Sequence, residues 1–174
     1  LNGLIEASEF VEWLLKYYLP PMIANASPVL VKGARRIDRG RLFIDGKPVF
    51  GSNKTWEGLL IGVVNSYIAG SSLALVFRDS YLAFLGLGAG LFALLGDMIG
   101  AFIKRRIGLK PGDPALFLDQ WDFILGATFF YYVTNTIQVF EKPEYILILL
   151  VLTFILHVST NLIAYVLGLK QSKL

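Results

Sequence analysis

The stretch Gly96–Phe123, GDMIGAFIKRRIGLKPGDPALFLDQWDF, decides how this chain is read. It carries Asp97, Asp119 and Asp122 together with Lys104, Arg105, Arg106 and Lys110, and almost everything around it is apolar. The run before it, Tyr81 to Gly96, holds no charge. A carboxylate at the end of such a run is costly near hydrocarbon unless it is paired or bound to a cation. Carboxylates beside a basic cluster suit a hard divalent cation on a phosphate: the acids hold the ion, and Lys and Arg neutralise phosphoryl oxygens. The stretch reads as a chemical centre, and the rest of the chain as its membrane scaffold.

Outward from that centre the chain is apolar in long runs. Gly58–Phe77, Phe123–Phe140 and Tyr145–Leu169 contain no Lys, Arg, Asp or Glu. Each approaches or exceeds the roughly 20 residues a helix needs to cross hydrocarbon. Of the 174 residues, 55% are hydrophobic and 17% charged, below the quarter or so charged residues of a soluble domain. An all-α integral membrane protein with one domain over residues 1–174 is the economical reading. Cysteine is absent, which excludes disulfides and thiolate metal sites. Glu6, Glu9 and Glu12 stand where a cleavable signal would be basic.

Five transmembrane helices are expected. The first lies within Leu1–Ala26; Glu12 and Lys16 form an i, i+4 pair in it, and Pro20-Pro21 should kink it or end its first half. The second is the run to Phe77, the third runs from about Tyr81 to Arg105, the fourth from Asp119 to Phe140, and the fifth from Tyr145 to about Leu169. In the polar segment Lys32–Thr55, Asp45-Gly46 predicts a tight turn between short extended pieces. The basic residues of that segment, of Lys104–Lys110 and of the end (Lys170, Lys173) fall on one side, against Arg78 and Lys142 on the other. The positive-inside rule then puts the N-terminus outside and the C-terminus in the cytoplasm. It also places two cytoplasmic loops, carrying the candidate site, on one face of the cell membrane.

Gly51-Ser52-Asn53-Lys54-Thr55 is not a P-loop, because Asn53 occupies the place of the second glycine and a membrane helix follows. It can still present amide donors and Lys54 to an anion; the plain alternative is a helix N-cap by Thr55 or Ser52. Asp119 and Asp122, three apart, share a face at the start of a helix. With Asp97 at the same depth they can converge on one or two Mg²⁺ ions. Lys104, seven residues after Asp97, lies on the same face of its helix. His157 stands alone, one turn before Asn161, which excludes a histidine metal cluster and reads as an interhelical hydrogen-bonding residue.

Lys54-Thr55-Trp56-Glu57-Gly58 resembles the K-T-W-E-G segment of the integral-membrane phosphatidate cytidylyltransferases. Gly96-Asp97, Lys104-Arg105 and Leu118-Asp119-Gln120-Trp121-Asp122 are similar to that family's closing G-D, K-R and L-D-R-x-D. Gln120 stands in place of Arg, and Pro111-Gly112-Asp113-Pro114 replaces the P-G-H-G-G segment, so no contact of those residues is carried over. The departures, with Ala24-Asn25-x-x-Pro28 and His157-x-x-x-Asn161, resemble the family's archaeal branch, the CDP-archaeol synthases. The resemblance implies transfer of a cytidylyl group from CTP to 2,3-bis-O-geranylgeranyl-glycerol 1-phosphate, with Mg²⁺ as cofactor. It implies Asp97, Lys104 and Asp119 as catalytic residues, and Asp97, Asp119 and Asp122 as metal ligands. Ser52, Asn53, Lys54, Thr55, Lys104, Arg105 and Asp122 are expected to bind CTP or its phosphates. Asn25, Arg36 and Asn161 are lipid-phosphate candidates. The expected partners are CTP, the isoprenoid lipid phosphate and membrane lipids, with no nucleic acid; the oligomeric state is open, a homodimer included. The rival class is a small transporter or channel for a divalent cation or phosphate, for which the apolar runs offer few polar path residues.

Overall fold

The computed structural model describes residues 2–166. Their regular structure is helical, with two isolated antiparallel bridges in place of strands. The first helical stretch is α1 (Asn2–Trp13), a π turn (Leu14–Tyr18), α2 (Leu19–Ala26) and a 3₁₀ turn (Ser27–Leu30). The expected disturbance by Pro20-Pro21 takes the form of the π turn just before them: the chain stays helical throughout, and α2 starts at Leu19 with the prolines in its first turn. Prolines have no N–H, so the carbonyls of Lys16 and Tyr17 lose their usual partners. The Leu19 N–H reaches back to the Leu14 carbonyl, the wider π spacing, and the freed Tyr17 carbonyl accepts the Tyr131 hydroxyl from another helix.

Helix α3 (Trp56–Phe77) begins at Thr55, whose extended backbone and side-chain oxygen, accepting the Gly58 N–H at 3.2 Å, form an N-cap. It ends at Arg78 in the left-handed region (φ 55°). Helix α4 (Tyr81–Arg106) follows directly. The two are the helices long and apolar enough to cross a membrane among the described residues. Their 22 and 26 residues correspond to about 33 and 39 Å. They touch backbone to backbone where Gly70 meets Gly86, beside the buried Ser66, which donates to the Gly86 carbonyl at 2.7 Å. Small residues in this position let helices approach in lipid.

Helix α5 (Leu118–Val133) is shorter than the expected Asp119–Phe140. Thr134-Asn135-Thr136 ends it. The Thr134 hydroxyl turns back to the Phe130 carbonyl at 2.9 Å, and Asn135 takes a left-handed backbone (φ 56°) before a 3₁₀ turn at Ile137–Val139. Short polar side chains compete with the helix ladder in this way. Helix α6 (Pro143–Val166) starts on a proline, whose missing N–H costs nothing at a first turn. Lys170 and Lys173 lie outside the described residues.

The core joins Tyr18, Leu82, Leu85, Ile124, Tyr131 and Leu149, all essentially inaccessible. Outside it, Leu60, Leu75, Ile99, Leu125 and Val151 are well exposed. An apolar outer surface around a helical core is that of a membrane protein. The polar segment before α3 and the α4–α5 connection meet at one end of the bundle. Glu9 and Lys142 pair at the other, where Lys16 sits 4.5 Å over the Phe77 ring.

Candidate active site

Lys54 reaches the site because the segment before it is tied down at three points. Backbone pairing with residues 35–37 holds its base: Ile37 donates to the Lys54 carbonyl and Trp56 to that of Arg35, each at 2.9 Å. The buried Asp38 carboxylate accepts the N–H groups of Gly40 (2.9 Å), Phe50 (3.0 Å) and Gly51 (3.0 Å). Burial pushes the Asp38 carboxyl up, but these N–H donors and Arg36 outweigh it and hold it below its usual range. The tight turn at Asp45-Gly46 forms as expected, with the Phe43 N–H donating to the Lys47 carbonyl at 2.7 Å, while the flanking pieces make one isolated Leu42–Pro48 bridge in place of strands. Arg106 pins this turn to the end of α4: its guanidinium packs on both rings of the Phe43–Phe102 pair (4.9 and 4.5 Å), with Asp45 3.3 Å from Nε. It also donates to the Pro48 carbonyl, while Lys47 donates to the Arg106 carbonyl at 2.7 Å.

Gly51, between these anchors and Lys54, has φ 102°, and a Cβ there would lie 3.0 Å from Pro111 of the α4–α5 connection. The position therefore requires glycine, and it brings the two loops together. The Lys54 ammonium then meets the Asp97 carboxylate on α4, and Lys104 meets Asp119 on α5 at 2.8 Å. The second oxygen of Asp119 accepts the Ala115 N–H at 2.9 Å, closing the turn before α5. Asp122 is buried one turn further on, and Gly100 of α4 leaves room for its carboxylate.

These groups line one cavity of about 130 Å³, with Asn53 and Arg105 and with walls from Phe50, Ala101, Pro111 and Gly112. Arg105 is 4% exposed, and its Nε and Nη1 find no acceptor among the described residues. Unpaired buried donors in a lined cavity favour an anion. The cavity thus offers two lysines and an arginine for phosphoryl oxygens and three carboxylates for a cation.

Asp97, Lys104, Asp119, Asn53, Lys54, Arg105 and Asp122 are all brought to this cavity, from loops and helices up to 69 residues apart in sequence (53 to 122). Ser52 is not among the lining residues; its hydroxyl turns to the Asn53 side chain at 3.1 Å. Thr55 lines a smaller adjoining space and serves as the cap of α3. Asn25 and Arg36 are not in the lining of the cavity, although the Arg36 backbone pairs with Thr55. The Asn161 side chain lies outside the described residues. Sequence reading missed Asp38 and the clamping role of Arg106. Asp38-Arg39-Gly40, an acid two residues before a glycine, was the available signal for a local turn.

Three hard carboxylates around one cavity fit a divalent cation in donor chemistry. They are not assembled as a ready-made ligand cluster among the described residues, since Asp97 and Asp119 each hold a lysine. The fold and the site together define a membrane-embedded helical enzyme for phosphoryl chemistry.

Similarity to known proteins narrows this class. A family model described as CarS-like, CDP-archaeol synthase, matches residues 9–174. CDP-archaeol synthase of Staphylothermus marinus is 48% identical over 164 residues, covering 94% of this chain and 93% of that protein. The enzyme of that name from Pyrococcus furiosus is 44% identical, over 86% of this chain and 89% of that protein. A solved structure of an intramembrane enzyme for archaeal membrane lipids biosynthesis is similar with a TM-score of 0.77 at 37% identity, over 85% of this chain and 92% of the other. The chain belongs to the CDP-archaeol synthase family.

Proposed function

We propose that this chain transfers the cytidylyl group of CTP to 2,3-bis-O-geranylgeranyl-glycerol 1-phosphate, giving CDP-archaeol in its unsaturated form and pyrophosphate. The observation that carries the reading is the convergence of Lys54, Lys104 and Arg105 with Asp97, Asp119 and Asp122 on one cavity beside an apolar bundle. An oxygen of the lipid phosphate attacks the α-phosphorus of CTP in line. A new P–O bond forms, the bond to the bridging oxygen breaks, and pyrophosphate leaves. No protein nucleophile is required, so the work of the chain is positioning and charge.

Arg105 offers its unpaired donors to a phosphate. Lys54 and Lys104 exchange their carboxylates for phosphoryl oxygens when the nucleotide enters. Asp97, Asp119 and Asp122 would then hold Mg²⁺, which when bound supplies neutralisation of charge on the phosphoryl oxygens. A cavity of about 130 Å³ is smaller than the roughly 300 Å³ or more that holds a drug-sized ligand, so the segment carrying Gly51–Lys54 shifts outward to admit CTP.

The membrane arrangement belongs to the same proposal: five spans, with α1 and α2 together as the first, the N-terminus outside, and both site loops at the cytoplasmic face of the cell membrane. The charge asymmetry supports that orientation. The test is incubation of the purified protein with CTP, Mg²⁺ and the geranylgeranyl lipid phosphate, scored for CDP-lipid; a folded protein that forms none sinks the proposal.

A further inference from the structure

A second cavity, of about 350 Å³, runs along the seam of α4 and α5 and is almost wholly apolar. Its rims are Leu95, Ile99 and Ile103 of α4 and Leu118, Leu125 and Phe129 of α5. Ile99 and Leu125 are each 60% exposed, so the trough is open along its length. Its floor exists because the helices approach backbone to backbone. A Cβ at Gly96 would land on the Asp122 carbonyl, one at Gly100 on the Asp122 carboxylate, and one at Gly126 on the Phe92 carbonyl.

Two observations say what the trough takes. Asp122 lines both this trough and the polar cavity, so the two spaces meet at that residue. From Phe92 to Ile103 the trough follows 11 residue steps of α4, about 17 Å at the helical rise, roughly half the thickness of a hydrocarbon core. A channel one leaflet deep, apolar along its length and ending at a cluster of lysine and arginine, is complementary to one chain of an anionic lipid of that leaflet.

We propose that the α4–α5 trough seats one isoprenoid chain of the lipid phosphate and sets the register of its phosphate against the polar cavity. This rests on the proposed cytidylyl transfer and adds to it the place of the chain. The glycines at 96, 100 and 126 bring the two helix backbones together as the floor, and the apolar side chains of the rims stand above it on either side, a shape open to a methyl-branched chain. Ile99 and Leu125 act here as specificity-determining positions that touch the chain, not the reacting atoms.

The test fills the trough from its rims. Ile99→Trp and Leu125→Trp are compared with Leu75→Trp, a well-exposed apolar position on α3 outside the trough. All are assayed as full chains in detergent with the geranylgeranyl lipid phosphate. The expected result is a rise of about tenfold or more in KM for the lipid in both trough variants, as when about two methylene groups lose their burial. KM for CTP stays level, and Leu75→Trp behaves as wild type. An unchanged lipid KM, or equal rises for lipid and CTP, overturns the proposal. A loss of dimers by Leu125→Trp with unchanged lipid KM also overturns it, assigning the trough to a second copy of the chain. If the wild-type protein makes no CDP-lipid, the activity reading fails instead. A photoactivatable geranylgeranyl phosphate then reads the trough alone: labelling must fall in both trough variants and not in Leu75→Trp, and equal labelling overturns the assignment.

Discussion

Asp97→Asn separates the catalytic reading of the polar cavity from a structural one. The substitution keeps the shape of the side chain and removes the charge that faces Lys54. That ion pair is partly buried, with side chains 25% and 21% exposed, so its loss costs folding on the order of 1 to 3 kcal/mol, between an exposed and a buried pair. If Asp97 holds the cation that neutralises phosphoryl oxygens, the same change removes about 4 kcal/mol of transition-state stabilisation, roughly a thousandfold in turnover. The two effects fall on different measurements and are told apart there. Turnover is measured at saturating CTP and lipid phosphate, and thermal unfolding is followed in the same detergent. Asp113→Asn is the control. The Asp113 carboxylate accepts the Lys110 N–H at 2.7 Å in a turn, and asparagine retains an acceptor oxygen there. Its turnover should stay within about twofold, as for a surface change worth about half a kcal/mol. A well-folded Asp97→Asn protein with turnover within tenfold of wild type would refute the metal assignment.

Lys54→Ala should raise KM for CTP well beyond Arg39→Ala, because Lys54 lines the cavity and Arg39 does not; equal effects would reduce the segment to a general basic surface. The hold of Asp38 on the loop should depend on pH. Its carboxyl is depressed in the folded protein, so the stabilisation is fully present above the unfolded value, about 3.9, and is lost as pH falls through the lower folded value. Protease protection of residues 38–51 should therefore drop at acid pH in wild type, and Asp38→Asn should be less protected at neutral pH; identical profiles would contradict this anchor. Cysteines placed at Arg39 and Lys142 in the otherwise cysteine-free chain should label from opposite sides of intact membranes, and labelling of both from one side breaks the five-span topology.

The helices of the membrane scaffold and the components of the site were legible because their causes are local. Uncharged runs mark α3 and α4, and the acids and bases between Asp97 and Asp122 cannot be placed cheaply in hydrocarbon without one another. Features made by tertiary contacts were not legible. The π turn at Leu14–Tyr18 accommodates the prolines, but the group that takes up the freed Tyr17 carbonyl, the Tyr131 hydroxyl, lies more than a hundred residues away. The early end of α5 depends on Thr134 and Asn135 choosing local bonds over the helix, inside a run whose apolar character continues to Phe140. Asp38 looked like one acid in a basic segment, since its partners are backbone amides brought near only by folding. Arg106 looked like its neighbours, yet it clamps the Asp45-Gly46 turn while Arg105 turns into the cavity. The trough escaped notice because its glycines read equally well as ordinary helix-packing residues.

The central claim is attack by a lipid phosphate on the α-phosphorus of CTP, and phosphorus labelling reads it directly. CTP labelled at the α position, and separately at the γ position, is incubated with the purified protein, Mg²⁺ and geranylgeranyl lipid phosphate. The α label is expected to enter the lipid fraction and the γ label to leave as pyrophosphate, one for each CDP-lipid formed. Label from the γ position in the lipid, or α label that stays wholly in water with a folded protein, would contradict it.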